Sequence, residues 1–228
     1  MQKKKGGFRL KTEHEILELA FLLFLEKGFS EISTNEIIRE AGLTKGGFYY
    51  SFKSREDLDR RVIHHFIRPY YEKPLEMMQR IWEDRRHELS TEELLWKGFF
   101  LPQRFINYKI GIGLDILFRN FYFLLHESMK KFPEVLEYAG ESSARRREYL
   151  LCILQRGQKR GEIRGDMDLE NYVTLILAMQ DGIQALKVLD DSIDDEEKYK
   201  TIQKQMWNEI STERPEHYRN GGVASAVS

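Results

Sequence analysis

The chain has 228 residues, 41% of them hydrophobic and 32% charged, the composition of an ordinary globular protein with enough length for one large or two modest domains. A single cysteine, Cys152, excludes an intramolecular disulfide framework, no apolar run reaches the roughly 18 residues of a membrane span, and Lys3, Lys4 and Lys5 precede no signal-peptide core, so a cytoplasmic protein is expected. The formal net charge of −1 divides unevenly: residues 1–68 hold 13 Lys/Arg against 10 Asp/Glu, and the remainder 23 against 27, a basic head on an acidic body.

Periodicity is helical almost throughout, and an all-α fold is expected. A first helix begins at Thr12, with Glu15 at the capping-box offset, and ends near Gly28. Ile16, Ala20, Leu23 and Phe24 form its apolar face, widened by Leu17 and Phe21. Ser33 caps a short second helix carrying Ile37, Ile38 and Ala41, with Glu36 where a capping-box partner belongs. Gly42 follows at the position where a left-handed backbone costs least. Thr44 caps a third helix whose Phe48 and Phe52, four apart, supply a buried face. Lys45, Gly46, Gly47, Tyr49, Tyr50, Ser51 and Lys53 are left as a polar, aromatic and basic outer face, which suits the major groove of DNA.

Ser54 starts a connector helix through Leu58, Val62, Ile63, Phe66 and Ile67. Pro69 and Pro74 are expected to interrupt or kink it before it resumes through Met77 to Trp82. An aromatic-rich stretch follows from Ser90 to Phe123. Pro133 suits the first turn of a helix reaching about Gly161, and Asp168 caps another that contains Ile176, Met179 and Ile183. Ala178, Gly182 and Ala185 form a neighbouring line of small residues. A final helix spans Tyr199 to Ile210, and residues 212–228 are expected to be a disordered tail.

The segments EKGF at Glu26–Phe29 and EIIREAGLTKGGFYYSFKSREDL at Glu36–Leu58 closely resemble the DNA-binding signature of TetR-type transcriptional regulators, the tetracycline-repressor family. The resemblance covers about the first 60 residues; the rest matches in architecture alone. It implies an N-terminal three-helix helix-turn-helix DNA-binding domain and a C-terminal helical ligand-binding and dimerisation domain. The domains are drawn as 1–53 for the basic arm and DNA-binding domain, 54–82 for the connector and 83–211 for the sensing and dimerisation domain. By this similarity Thr44 and Tyr49 anchor to phosphates, Lys53 grips the backbone, and Lys45, Gly46, Gly47, Tyr50 and Ser51 face base edges. Gly47 departs from the pattern, since members often carry a larger residue there, which shifts weight toward DNA shape.

An effector pocket is expected from Trp96, Phe105, Tyr108, Phe118, Tyr122 and His126, although aromatics at helical spacing also build plain cores. A dimer interface is expected from Leu151, Leu154, Ile176, Met179, Gly182 and Ile183. Cys152, in an apolar run, reads as a small core residue. His64 and His65 diverge by about 100° on a helix and read as surface residues rather than a metal pair, and no cofactor is implied. No Ser-His-Asp order, CxxC, phosphate loop or HExxH is present, so nothing supports an enzyme. The expectation is a homodimeric repressor, released from a near-palindromic operator by a small, largely apolar effector. The alternative is a fold of this type that binds a protein partner instead of DNA.

Overall fold

The computed structural model describes residues 12–100, 118–190 and 195–213, the side chains of residues 99, 100, 195, 196 and 199 excepted. They form helices α1 (Glu13–Lys27), α2 (Thr34–Ala41), α3 (Lys45–Ser51), α4 (Arg55–Val62), α5 (Arg68–Arg85), α6 (Thr91–Leu94), α7 (Phe118–Lys131), α8 (Pro133–Lys159), α9 (Leu169–Leu189) and α10 (Asp195–Ile210). Two wider π turns are present, Ile63–Ile67 between α4 and α5 and Leu95–Phe100 after α6. Among the described residues, β pairing is limited to an isolated bridge between Ile163 and Ser211.

The helix starts follow the capping residues. Thr12 and Ser90 each form a complete capping box, with Glu15 and Glu93 as the reciprocal partners. Ser33 accepts from the Glu36 amide, but Glu36 turns its carboxylate to Lys27 Nζ at 2.9 Å instead of closing the box. Asp168 accepts from the Asn171 amide at 3.1 Å, and Pro133 opens α8. The connector is not interrupted by its prolines: helical turns run from Arg55 to Arg85. The Arg68 amide bonds to the Ile63 carbonyl, five residues back. That wider turn just before Pro69 eases the crowding its ring would impose on the carbonyl four residues earlier.

The residues divide into two compact units: 12–69 with 118–137, and 70–100 with 138–190 and 195–213. The first unit therefore includes α7, which the sequence reading put in the sensing domain. Phe21 stacks on Phe66 at 4.4 Å and meets Phe121 of α7 edge-on at 6.4 Å. Phe29 meets Phe132 at 5.2 Å. Glu127 of α7 accepts from the amides of Phe29 (3.0 Å) and Ser30 (3.1 Å) and from the Ser30 hydroxyl (3.0 Å). It thereby satisfies amides left open where α1 ends at Gly28, whose φ is 87°.

The second unit has its own core, including Leu75, Met78, Leu94, Leu150, Ile153, Leu154, Val173, Ile176 and Ile183. The bend between α8 and α9 is pinned to the end of α10: the Arg164 amide donates to Ile210 O (2.9 Å) and the Thr212 amide to Glu162 O (3.1 Å). Thr212, expected at the start of a tail, is thus held in place; residues 214–228 and the basic arm at 1–11 lie outside the described residues. Cys152, expected in the core, is exposed, because Leu150, Ile153 and Leu154 on the same helix fill the interior.

Three residues expected at a dimer interface are used inside the protomer. Leu154, Ile176 and Ile183 are 0%, 2% and 7% exposed. Leu151 and Met179 pack partly against the same core, and only Gly182 of that set is exposed. The outward face of α9 is instead Leu175, Ala178, Gly182, Leu186 and Leu189. Period alone could not tell these adjoining stripes apart, since α9 is apolar on more than one side.

Candidate nucleic-acid interface

The α2–α3 turn follows from one glycine and one threonine. Gly42 sits at φ 68° and ψ 28°, a left-handed conformation that a side chain would strain, and returns its amide to the Arg39 and Ile38 carbonyls. Two residues later Thr44 opens α3, its hydroxyl accepting from the Gly47 amide at 3.0 Å. Phe48 and Phe52, both 0% exposed, fix the rotation of α3 about its axis. Burial of such side chains stabilises by about 1.5–3 kcal/mol each, far more than a seven-residue helix with two glycines gains from its own propensity.

That rotation decides what faces outward. Tyr50 is 93% exposed and Tyr49 55%, although each is a large aromatic. Thr44, Lys45, Gly46 and Lys53 are exposed, and Gly47 and Ser51 are half-buried. All eight residues read from the sequence as the DNA-facing set therefore lie on one short helix and its two ends. Tyr49 leans edge-on against Phe48 at 5.3 Å, so its ring is braced while its hydroxyl stays outside. At the far end the Lys53 amide donates to Asp57 Oδ2 at 2.8 Å. That bond holds the Asp57 carboxyl below its ordinary range, with the neighbouring Arg61 acting in the same direction.

Sequence reasoning missed the group that holds this assembly from behind. Arg55 Nε donates to Asp59 at 2.6 Å, and its other nitrogens reach the carbonyls of Phe29 and Ile32, with the guanidinium over the Phe24 ring at 5.0 Å. Asp59 is 2% exposed; burial pushes its pKa up, while Arg55 and then Lys131 of α7 pull it down. The available signal was the four-residue spacing of an arginine and an aspartate on α4.

The aromatics expected to line an effector pocket are not gathered in one unit. Phe118, Tyr122 and His126 do share a side of α7, with ring separations of 6.1 Å and 4.3 Å, but α7 belongs to the first unit. Trp96 packs against the core of the second, and Phe105 and Tyr108 lie outside the described residues. Helical spacing shows which side chains share a face and not which core that face joins. His64 and His65 are both exposed; His64 meets Arg68 at 3.0 Å, and His65 packs on Phe66 and His14.

Residues 16–62 match the model of the family described as "Bacterial regulatory proteins, tetR family". The chain is 40% identical over 53 residues to the uncharacterized HTH-type transcriptional regulator YfiR of Bacillus subtilis, covering 23% of this chain and 26% of that protein. It is 42% identical over 58 residues to the HTH-type transcriptional regulator AcrR of Shigella flexneri, covering 25% and 27%. These alignments span about a quarter of each relative's length. Among solved structures, the ketosteroid transcriptional regulator KstR2 of Mycobacterium tuberculosis superposes with a TM-score of 0.61 at 16% identity, over 91% of this chain and 98% of that one, which shows a shared fold. The helix-turn-helix at residues 16–62 thus matches the tetR family of bacterial regulatory proteins in sequence, and the helical order of the chain matches a regulator of known structure in fold.

Proposed function

We propose that this protein is a DNA-binding transcriptional regulator that works as a homodimer. It places one α3 helix in each half of a near-palindromic operator and represses by occupying the site. The single observation carrying this reading is the two-sided build of α3: Phe48 and Phe52 are fully buried, while Tyr49, Tyr50, Lys45 and Lys53 stand in solvent. Large aromatics left in water on a rigidly held helix are costly without a partner, and a duplex offers both phosphates and base edges. Two-fold reading of one face of DNA puts the paired α3 helices ~34 Å apart or a multiple of it.

The pairing surface in this reading is the exposed α9 stripe of Leu175, Ala178, Gly182, Leu186 and Leu189, with α8 of both copies completing a four-helix arrangement. A small effector held by the second unit would release the operator to the extent that it favours a dimer whose α3 helices lie off that spacing.

The test begins with selection of bound duplexes from a random library, followed by anisotropy titration on the winning sequence. Enriched palindromes with helical-turn spacing are expected. Tyr49→Ala and Lys53→Ala should each weaken binding without unfolding the protein, and Lys53→Ala should flatten the salt dependence by about one unit of slope. No enriched symmetry, or unaltered affinity and slope in both variants, would overturn the assignment.

A further inference from the structure

Two tyrosines of the second unit carry enclosed hydroxyls that find no hydrogen-bonding partner among the described residues. Tyr71, near the start of α5, is only 8% exposed, and Tyr149 of α8 has its ring half-buried and its Oη closed off. Space is kept for the second one: a β-carbon at Gly98 would fall 2.1 Å from Tyr149 Oη. On α8, Ser142, Arg146 and Tyr149 are spaced four and then three residues apart and share a face. Ser142 Oγ donates to the Tyr71 carbonyl at 3.4 Å, and Arg146 donates to Gln180 Oε1 on α9 at 2.6 Å. Ser142 and Gln180 are 6% and 2% exposed. Immediately beyond Tyr149, α8 buries the apolar Leu150, Ile153 and Leu154. The stretch of α8 from Ser142 to Tyr149 thus marks one end of the unit where polar side chains enter the interior.

An enclosed phenol without a partner makes the folded protein less stable than phenylalanine of the same shape would. Burial also pushes both pKa values upward, so each hydroxyl stays protonated and can donate. We propose that this end of the second unit is the effector site, and that the effector is an apolar molecule bearing an oxygen acceptor: a ketone, an ester or a carboxylate. The proposal rests on the reading above that the second unit takes a small effector, and it replaces a largely apolar ligand with one that carries a polar head.

The experiment uses the full chain without DNA and follows thermal unfolding of wild type, Tyr71→Phe and Tyr149→Phe. Three probes share one body: 4-phenyl-2-butanone, 4-phenylbutyrate and n-butylbenzene. Without probe, each Phe variant should melt about 2–4 °C above wild type. The oxygen-bearing probes should stabilise wild type where butylbenzene does not, and each Phe substitution should weaken them about tenfold. A stronger response to the butyrate assigns a carboxylate, and a stronger response to the butanone a neutral carbonyl. Phe variants that melt at or below wild type would overturn the proposal, since the hydroxyls would then be satisfied structurally, by an ordered water for example. Equal response to all three probes, or to none, would overturn it as well. Because no operator is present, loss of this inference and loss of the DNA-binding reading are separately visible.

Discussion

A β-carbon at Gly46 would meet nothing nearer than Thr44 Oγ1 at 3.9 Å, an ordinary contact. Nothing among the described residues therefore demands glycine there, and alanine would make a better helix by up to about 1 kcal/mol. On the proposed reading the demand comes from outside, where the first turn of α3 would approach a duplex closely. Gly46→Ala should raise the melting temperature by about 2–4 °C and weaken operator binding at least about tenfold; a stabilised variant with undiminished affinity would show the position is not pressed against DNA. At this scale the sequence was highly readable. Caps at Thr12, Ser33, Thr44 and Asp168 act between residues three apart, so type and spacing suffice. Glu36 was the exception, because its partner Lys27 lies nine residues back on another helix.

At the scale of elements, α7 separates what periodicity can reveal from what it cannot. Its amphipathic pattern marks a helix with one buried side, and Phe121, Leu124 and Leu125 are indeed buried. Its partner is α1, about a hundred residues upstream, and no local pattern encodes a pairing at that distance. The same limit left unread which unit the aromatics of α7 join. Glu127 is the polar half of this docking, accepting two backbone amides and a hydroxyl of the Phe29–Ser30 turn. Glu127→Ala should leave those amides less well satisfied and cost about 1–3 kcal/mol in urea unfolding, with Glu127→Gln recovering part of the loss. An alanine variant as stable as wild type would mean α7 is held by its apolar face alone.

For the whole molecule, the order of helices was legible, while which large apolar residues stay outside the protomer's own core was not. Ile176, Ile183 and Leu154 were attractive candidates because they are large and periodic, yet those qualities also recommend a residue for its own core. A β-carbon at Gly182 meets nothing within 4 Å, so the protomer has room for a larger side chain there. Gly182→Leu should leave the helical content of the protomer intact and impede close packing of two α9 helices. Sedimentation should then show monomer at concentrations where wild type pairs, and operator affinity should fall with it. Unchanged pairing would move the interface elsewhere.

The reading head is stitched from two distant stretches of polypeptide, residues 12–69 and 118–137. A nascent chain leaving the ribosome has the tyrosine-bearing helix out early, but Glu127 and Phe132 emerge some sixty residues after the first stretch is finished. Until then Phe29 lacks its edge-on neighbour and the Ser30 amide its carboxylate. The two halves of this molecule thus mature side by side, since the ribosome must deliver part of the body before the head can close.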